Sequence, residues 1–225
     1  LKAIEAVEPL MTRLENIDTK DFETGDYYVN ALDSLMPDWR QTQRGKALEN
    51  RILFEFKKVK AEITQPIDCY EESEMEDYSN QIRALTWYPS GVLLLLETAR
   101  DEQGVTDFRF HSILALGDIA KPGDTDILCT LIKLLYDKNP MIISLALEWL
   151  NQLGRRYEGN APAEPAAQEI VGALLNLMEK EGSEEISRDQ LIDGLLIWGD
   201  ERVAPVLLNL LQKNPNPNLY SFSDN

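Results

Sequence analysis

The chain has 225 residues, 44% of them apolar, which suits one sizeable core or a short array of repeats and excludes a disordered chain. Its 39 acidic residues against 22 basic ones give a formal charge of -17, which keeps the chain soluble, repels a nucleic-acid backbone and attracts a basic protein. With one histidine, His111, and two cysteines, Cys69 and Cys129, the chain offers neither structural-zinc spacing nor a disulfide framework.

Residues 3 to 15 place Ile4, Val7, Leu10, Met11 and Leu14 at helical spacing, and Pro9 is expected to kink that helix or delay its first turn. A second helix is predicted over Tyr27 to Met36, with Asp26 as N-cap and Pro37 as stop. A third runs from Gln43 to Ile63 on a stripe of Leu48, Ile52, Phe56 and Val59. It is the one basic island: residues 41 to 60 carry six Lys or Arg against two Glu, a net +4, while residues 61 to 80 carry seven acids and no base, a net -7. A solvated helix followed by an acidic loop accounts for this. So does an acidic loop that engages a basic partner or folds back over the basic helix. Pro66 and the loss of periodicity predict a loop to Ser73. Ser73 and Glu76 then have the spacing of a capping box, opening a helix from Glu74 to Trp87.

From Val92 the pattern becomes regular. Val92 to Arg100 is apolar nearly all round at Leu93, Leu94, Leu95 and Leu96, as a helix buried on most sides would be. A turn at Asp101 to Gly104 leads to a helix capped by Asp107 and ending at Ile119, and Lys121-Pro122-Gly123 breaks the chain. Helices follow from Asp124 or Thr125 to Tyr136 and from Met141 to Leu153, with Cys129 expected as a small core residue of the former. After the longer connection 154–165 come helices over Glu164 to Glu181, Glu184 to Trp198 and Val203 to Lys213, then a tail to Asn225 expected to fray.

The run Phe108-Arg109-Phe110-His111-Ser112-Ile113-Leu114-Ala115-Leu116-Gly117 resembles the second helix of HEAT and HEAT-like repeats, of the type found in bilin lyases of phycobilisome assembly. Gly123-Asp124 through Leu134-Leu135-Tyr136-Asp137 resembles the first helix of the next repeat, and Gly199-Asp200 to Leu210-Leu211 repeats it 76 residues later. Ile143 and Asn151 stand where the second unit would carry Arg and Gly. The third unit keeps Arg188 but reads Gly194-Leu195-Leu196 for Ala-Leu-Gly. The resemblance covers residues 90–213. It implies an all-α protein, a right-handed α-solenoid of stacked antiparallel helix pairs, preceded by an N-terminal helical region 1–89 and followed by a tail 214–225.

Chemistry-bearing motifs are sparse. A Ser-His-Asp or Cys-His set would have to use His111, no GxxxxGK[ST] or GxGxxG is present, and no EF-hand loop occurs, so neither a cofactor nor a metal is expected. The His-Glu pairs of HEAT-like di-iron hydroxylases are missing, and the acidity opposes a HEAT-like DNA glycosylase. Trp39, Trp87, Trp149 and Trp198 suit either core positions or interface anchors. The repeat resemblance places second helices along a concave face, which makes Arg109, His111, Glu148, Arg188 and Asp189 candidates for a groove. For Arg109 and Arg188 a salt bridge between repeats, with a turn carboxylate such as Asp137, is the favoured role. Glu71, Glu72 and Glu74 are the candidates of the acidic segment.

The expected function is a non-enzymatic scaffold or adaptor whose acidic surface binds a protein partner. An immunity or inhibitor protein masking a basic toxin, and a bilin lyase-like or phycobiliprotein-chaperone subunit, are the alternatives. No apolar run reaches the roughly 18 residues of a membrane span and no signal peptide is visible, so a reducing, cytoplasmic setting is expected. Leu1 in place of Met fits a processed form or a piece of a longer protein.

Overall fold

Apolar residues recur every three or four positions along most of the chain, and the backbone answers with helix after helix. The computed structural model describes residues 4–62, 72–157, 164–179, 186–199 and 203–213. Among these, eleven α-helices and three short 3-10 turns occur and no strand: α1 (Val7–Glu15), α2 (Phe22–Leu35), α3 (Gln43–Glu62), α4 (Glu72–Ala84), α5 (Pro89–Arg100), α6 (Thr106–Ile119), α7 (Thr125–Leu134), α8 (Pro140–Arg156), α9 (Glu164–Glu179), α10 (Arg188–Trp198) and α11 (Val203–Lys213). No helix among the described residues is long and apolar enough to cross a membrane.

The chain forms two compact units, residues 1–120 with 124–130, and residues 121–123 with 131–225. The division thus falls within α7, whereas the sequence motifs mark their own boundary at residue 89. The reason is packing. Trp87 and Tyr88 are buried, and Phe56 of α3 meets Phe108 of α6 edge to face at 6.1 Å, so packing continues across residue 89, which is itself exposed.

In the first unit, lateral bonds fix which helices lie side by side. Arg44 Nη1 donates to Glu8 Oε2 (2.5 Å), Arg51 Nη1 to the Glu15 carbonyl, and Thr19 Oγ1 to Glu55 Oε2 (2.7 Å). Each pair is 36 residues apart, so α1 with its following turn and α3 run parallel. On another face of α3, Ser90 Oγ bonds Glu49 Oε1 and Lys60 Nζ lies 4.0 Å from Asp101 Oδ2, both pairs 41 residues apart, so α5 runs parallel to α3 as well. α3 is therefore flanked by α1 and α5. The intervening helices make a second row: α4 packs on α2 and α6, with Lys20 paired to Asp77 and Arg83 to Asp118. α5 and α6 are packed on each other along most of their length.

Arg40 ties the two rows together. Its guanidinium donates to both carboxylate oxygens of Asp33, its Nε donates to the Trp87 carbonyl (2.5 Å), and it lies 4.6 Å from the Trp39 ring centre. Trp39 Nε1 donates to the same Asp33 (2.7 Å). Burial alone would raise the Asp33 pKa, but these donors outweigh it and hold the carboxyl below its usual value. Close approach is also built in: a Cβ on Gly25 of α2 would run into the Trp87 ring.

The second unit repeats the device. Asn151 Nδ2 donates to the Gln190 carbonyl (2.9 Å) and Arg155 Nη2 to Asp193 Oδ2 (2.9 Å), pairs 39 and 38 residues apart, so α8 and α10 run parallel. Their approach depends on Gly154, whose Cβ would meet Ile197 and Trp198, and on Gly194, whose Cβ would meet Asn151 and Leu174. α9 and α11 both pack on α10. Gly123 adopts φ +100°, a left-handed turn that only glycine takes without strain, and its N–H donates to the Tyr157 hydroxyl (3.1 Å).

Several local expectations shift. α2 starts at Phe22, not Tyr27, because Asp21 rather than Asp26 accepts from the Thr24 N–H as N-cap. Asp107 sits inside the first turn of α6, not at its cap, which is Val105. Glu72 and Ser73 already belong to α4, and the rest of the expected loop lies outside the described residues. Cys129 is exposed rather than core, because Ile127, Leu128, Leu131, Ile132 and Leu135 form the buried side of its segment. α5 is less enclosed than its leucines suggest: Leu95 and Leu96 are buried, but Leu93 is 58% exposed.

Candidate functional site

The N-terminus of α2, the exposed side of α4 and the middle of α6 surround an open depression of ≈ 680 Å³ in the first unit. Lys20, Asp21, Phe22 and Glu23 line it from α2 and the turn before it, Glu76, Ser79, Asn80 and Arg83 from α4, and His111 from α6. The spacing of the α4 residues puts all four on one side of that helix.

The cations of the depression are already engaged. Lys20 Nζ donates to Asp77 Oδ2 (2.6 Å), a bond that raises the lysine pKa. Arg83 Nη2 lies 3.1 Å from Asp118 Oδ2, and its guanidinium sits 4.5 Å from the centre of the Phe22 ring. Phe22 in turn stacks on Trp87, with ring centres 5.6 Å apart and planes 12° from parallel. Asp21 Oδ1 caps α2. Glu23 and Glu76, by contrast, make no ion pair among the described residues. The depression therefore presents two free carboxylates beside compensated cations and suits a cationic group.

His111 forms part of the wall. Its ring packs edge-on to Phe110 at 5.6 Å, and its Nδ1 is buried with no hydrogen bond to the protein. Burial lowers its pKa below 6.5, and the nearby Asp107 only partly offsets this. A neutral imidazole of this kind can accept or donate one hydrogen bond to a bound group, but no nucleophile among the depression's lining residues is bonded to it. Among the described residues no group of three His, Cys, Asp or Glu could hold a metal ion.

Of the candidates read from the sequence, only His111 lines this depression. Arg109 is 4% exposed, and its Nε donates to the Ala99 carbonyl (3.2 Å), so it joins α6 to α5. Glu148, Arg188 and Asp189 belong to the second unit and are exposed; Glu148 accepts from Gln152 (3.4 Å), and Arg188 and Asp189 form the first turn of α10. Glu72 and Glu74 lie in the first turn of α4, while Glu71 lies outside the described residues. Trp39, Trp87 and Trp198 are buried and Trp149 is half-buried, which favours core roles over interface anchors. The residues that sequence reading missed, Lys20, Glu23 and Arg83 above all, carry no local motif; only tertiary packing brings positions 20 to 111 together.

Comparison of the chain with protein-family models, with curated proteins and with solved structures returns no match.

Proposed function

We propose that this chain is a non-enzymatic protein-binding scaffold, a HEAT-like right-handed α-solenoid that holds a basic protein or peptide against its acidic surface. The observation that carries the reading is the recurrence of lateral bonds between helices two apart in the chain, in three such pairs among the described residues. They join α1 to α3 at 36 residues, α3 to α5 at 41, and α8 to α10 at 38 and 39. A hairpin unit of about 40 residues is the length of HEAT and armadillo repeats. Arrays of this kind offer a row of helices to a partner and need no cofactor. The row of α2, α4 and α6 bears the free carboxylates of Glu23 and Glu76, and the formal charge of -17 would speed encounter with a basic partner.

The test is a titration with a lysine- and leucine-containing peptide. Affinity should fall steeply with salt and drop about tenfold when Glu72, Glu74 and Glu76 are changed to Lys. Unchanged affinity and an unchanged salt slope would remove this segment from the binding surface.

A further inference from the structure

α3 carries a feature that a purely acidic binding surface does not use. Its buried side is formed by Leu48, Ile52, Phe56 and Val59, one edge is bonded to α1 and the other to α5. What remains is a single exposed stripe at helical spacing, containing Lys46, Asn50, Phe54, Lys57 and Lys58. Phe54 is 68% exposed in its middle. Lys46 and Lys57 make no ion pair among the described residues, and Lys58 has only Glu62 at 3.8 Å, one turn along and itself exposed. On a chain of charge -17 this is a local concentration of positive charge around an uncovered aromatic ring. Across the α5 edge, Leu93 is also exposed, at 58%.

We infer that the exposed stripe of α3 is a second docking surface, for an acidic, amphipathic helical segment of a partner protein. Charge complementarity fixes the sign of the partner. Glutamates or aspartates would meet Lys46, Lys57 and Lys58, and an apolar residue of the partner would cover Phe54. A nucleic acid fits less well, since a long polyanion would extend from this short basic stripe into the field of an acidic protein. The inference stands apart from the acidic-surface reading, because it uses other residues and a partner of opposite charge.

The experiment is a fluorescence-anisotropy titration of the full chain with a labelled helical peptide that carries a Glu stripe and a Leu stripe over the length of α3. Saturable binding is expected. It should weaken about tenfold when Lys46→Glu and Lys57→Glu are combined, and about tenfold with Phe54→Ala. The Phe54→Ala variant should keep the wild-type salt slope, and Glu76→Lys should leave the affinity unlowered. All these side chains are exposed, so the fold should hold; if the charge reversal unfolds the chain, Lys46→Gln with Lys57→Gln makes the same comparison. Equal affinity of wild type and variants would overturn the proposal. So would a single-stranded oligonucleotide that displaces the peptide at equal charge, or self-association of the wild type that the Lys variants abolish, since either assigns the stripe to another occupant.

Discussion

Arg40 and Asp33 show how one pair can hold two rows of helices. Arg40 bonds a carboxylate on α2 and the Trp87 carbonyl before α5, while stacking on Trp39. Removing it leaves Trp87's carbonyl and Asp33 without their charged donor. Arg40→Ala should therefore lower the unfolding free energy by about 1–3 kcal/mol, seen as a lower urea midpoint with an unchanged slope. His111 makes a second prediction at this scale. Its folded pKa lies below the unfolded 6.5, so the unfolded chain takes up the proton first as pH falls. Stability should be unaffected by this group above pH 6.5, and lost as pH drops from there through the folded pKa. Because it is the only histidine, His111→Gln should flatten the wild-type stability curve in that window, whereas the same slope in both proteins would exclude the effect. Neither role was visible in the sequence. Arg40 has no motif around it, and the run Phe108 to Gly117 left Arg109 open to a groove or to a salt bridge between repeats, whereas its Nε donates to the Ala99 carbonyl.

At the scale of elements, helix existence was far more legible than helix ends. The 3.6-residue periodicity marks α3, α7 and α8 well, because their buried stripes are continuous. Caps were harder, since Asp21 and Asp26 are equally good N-cap residues locally and only tertiary packing of Phe22 on Trp87 decides between them. Cys129 shows the limit of composition: an apolar helix still has an outer side. Glycines make the packing testable. Gly172 of α9 has open space where a Cβ would go, so Gly172→Ala should stabilise the chain by about 0.5–1 kcal/mol through helix propensity. Gly25→Ala makes the same propensity gain but drives a methyl into the Trp87 ring, and should instead destabilise by about 1–3 kcal/mol. Thermal unfolding of the two variants side by side checks the pair, and stabilisation by both would mean that α2 and Trp87 are not in close contact.

At the scale of the molecule, the proposed solenoid depends on helices two apart in the chain lying side by side within each unit, as α1, α3 and α5 do in the first and α8 and α10 in the second. The sequence pointed to this through its leucine-rich hairpins, but the lateral bonds that carry it join residues 36 to 41 apart in ordinary polar positions, where no pattern announces them. The candidate depression was less legible still, because three helices contribute to it and each contributes unremarkable charged residues. The most direct test uses spin labels at Arg13→Cys on α1 and Leu93→Cys on α5, both exposed, in a chain whose Cys69 and Cys129 are replaced by Ala. With α3 between them, the labels should stand two interhelical spacings apart, about 20 Å or more by pulsed electron–electron resonance. Strong dipolar broadening from labels about 10 Å apart, the spacing of directly adjacent helices, would mean that α1 and α5 touch in a closed bundle and would contradict the stacked arrangement.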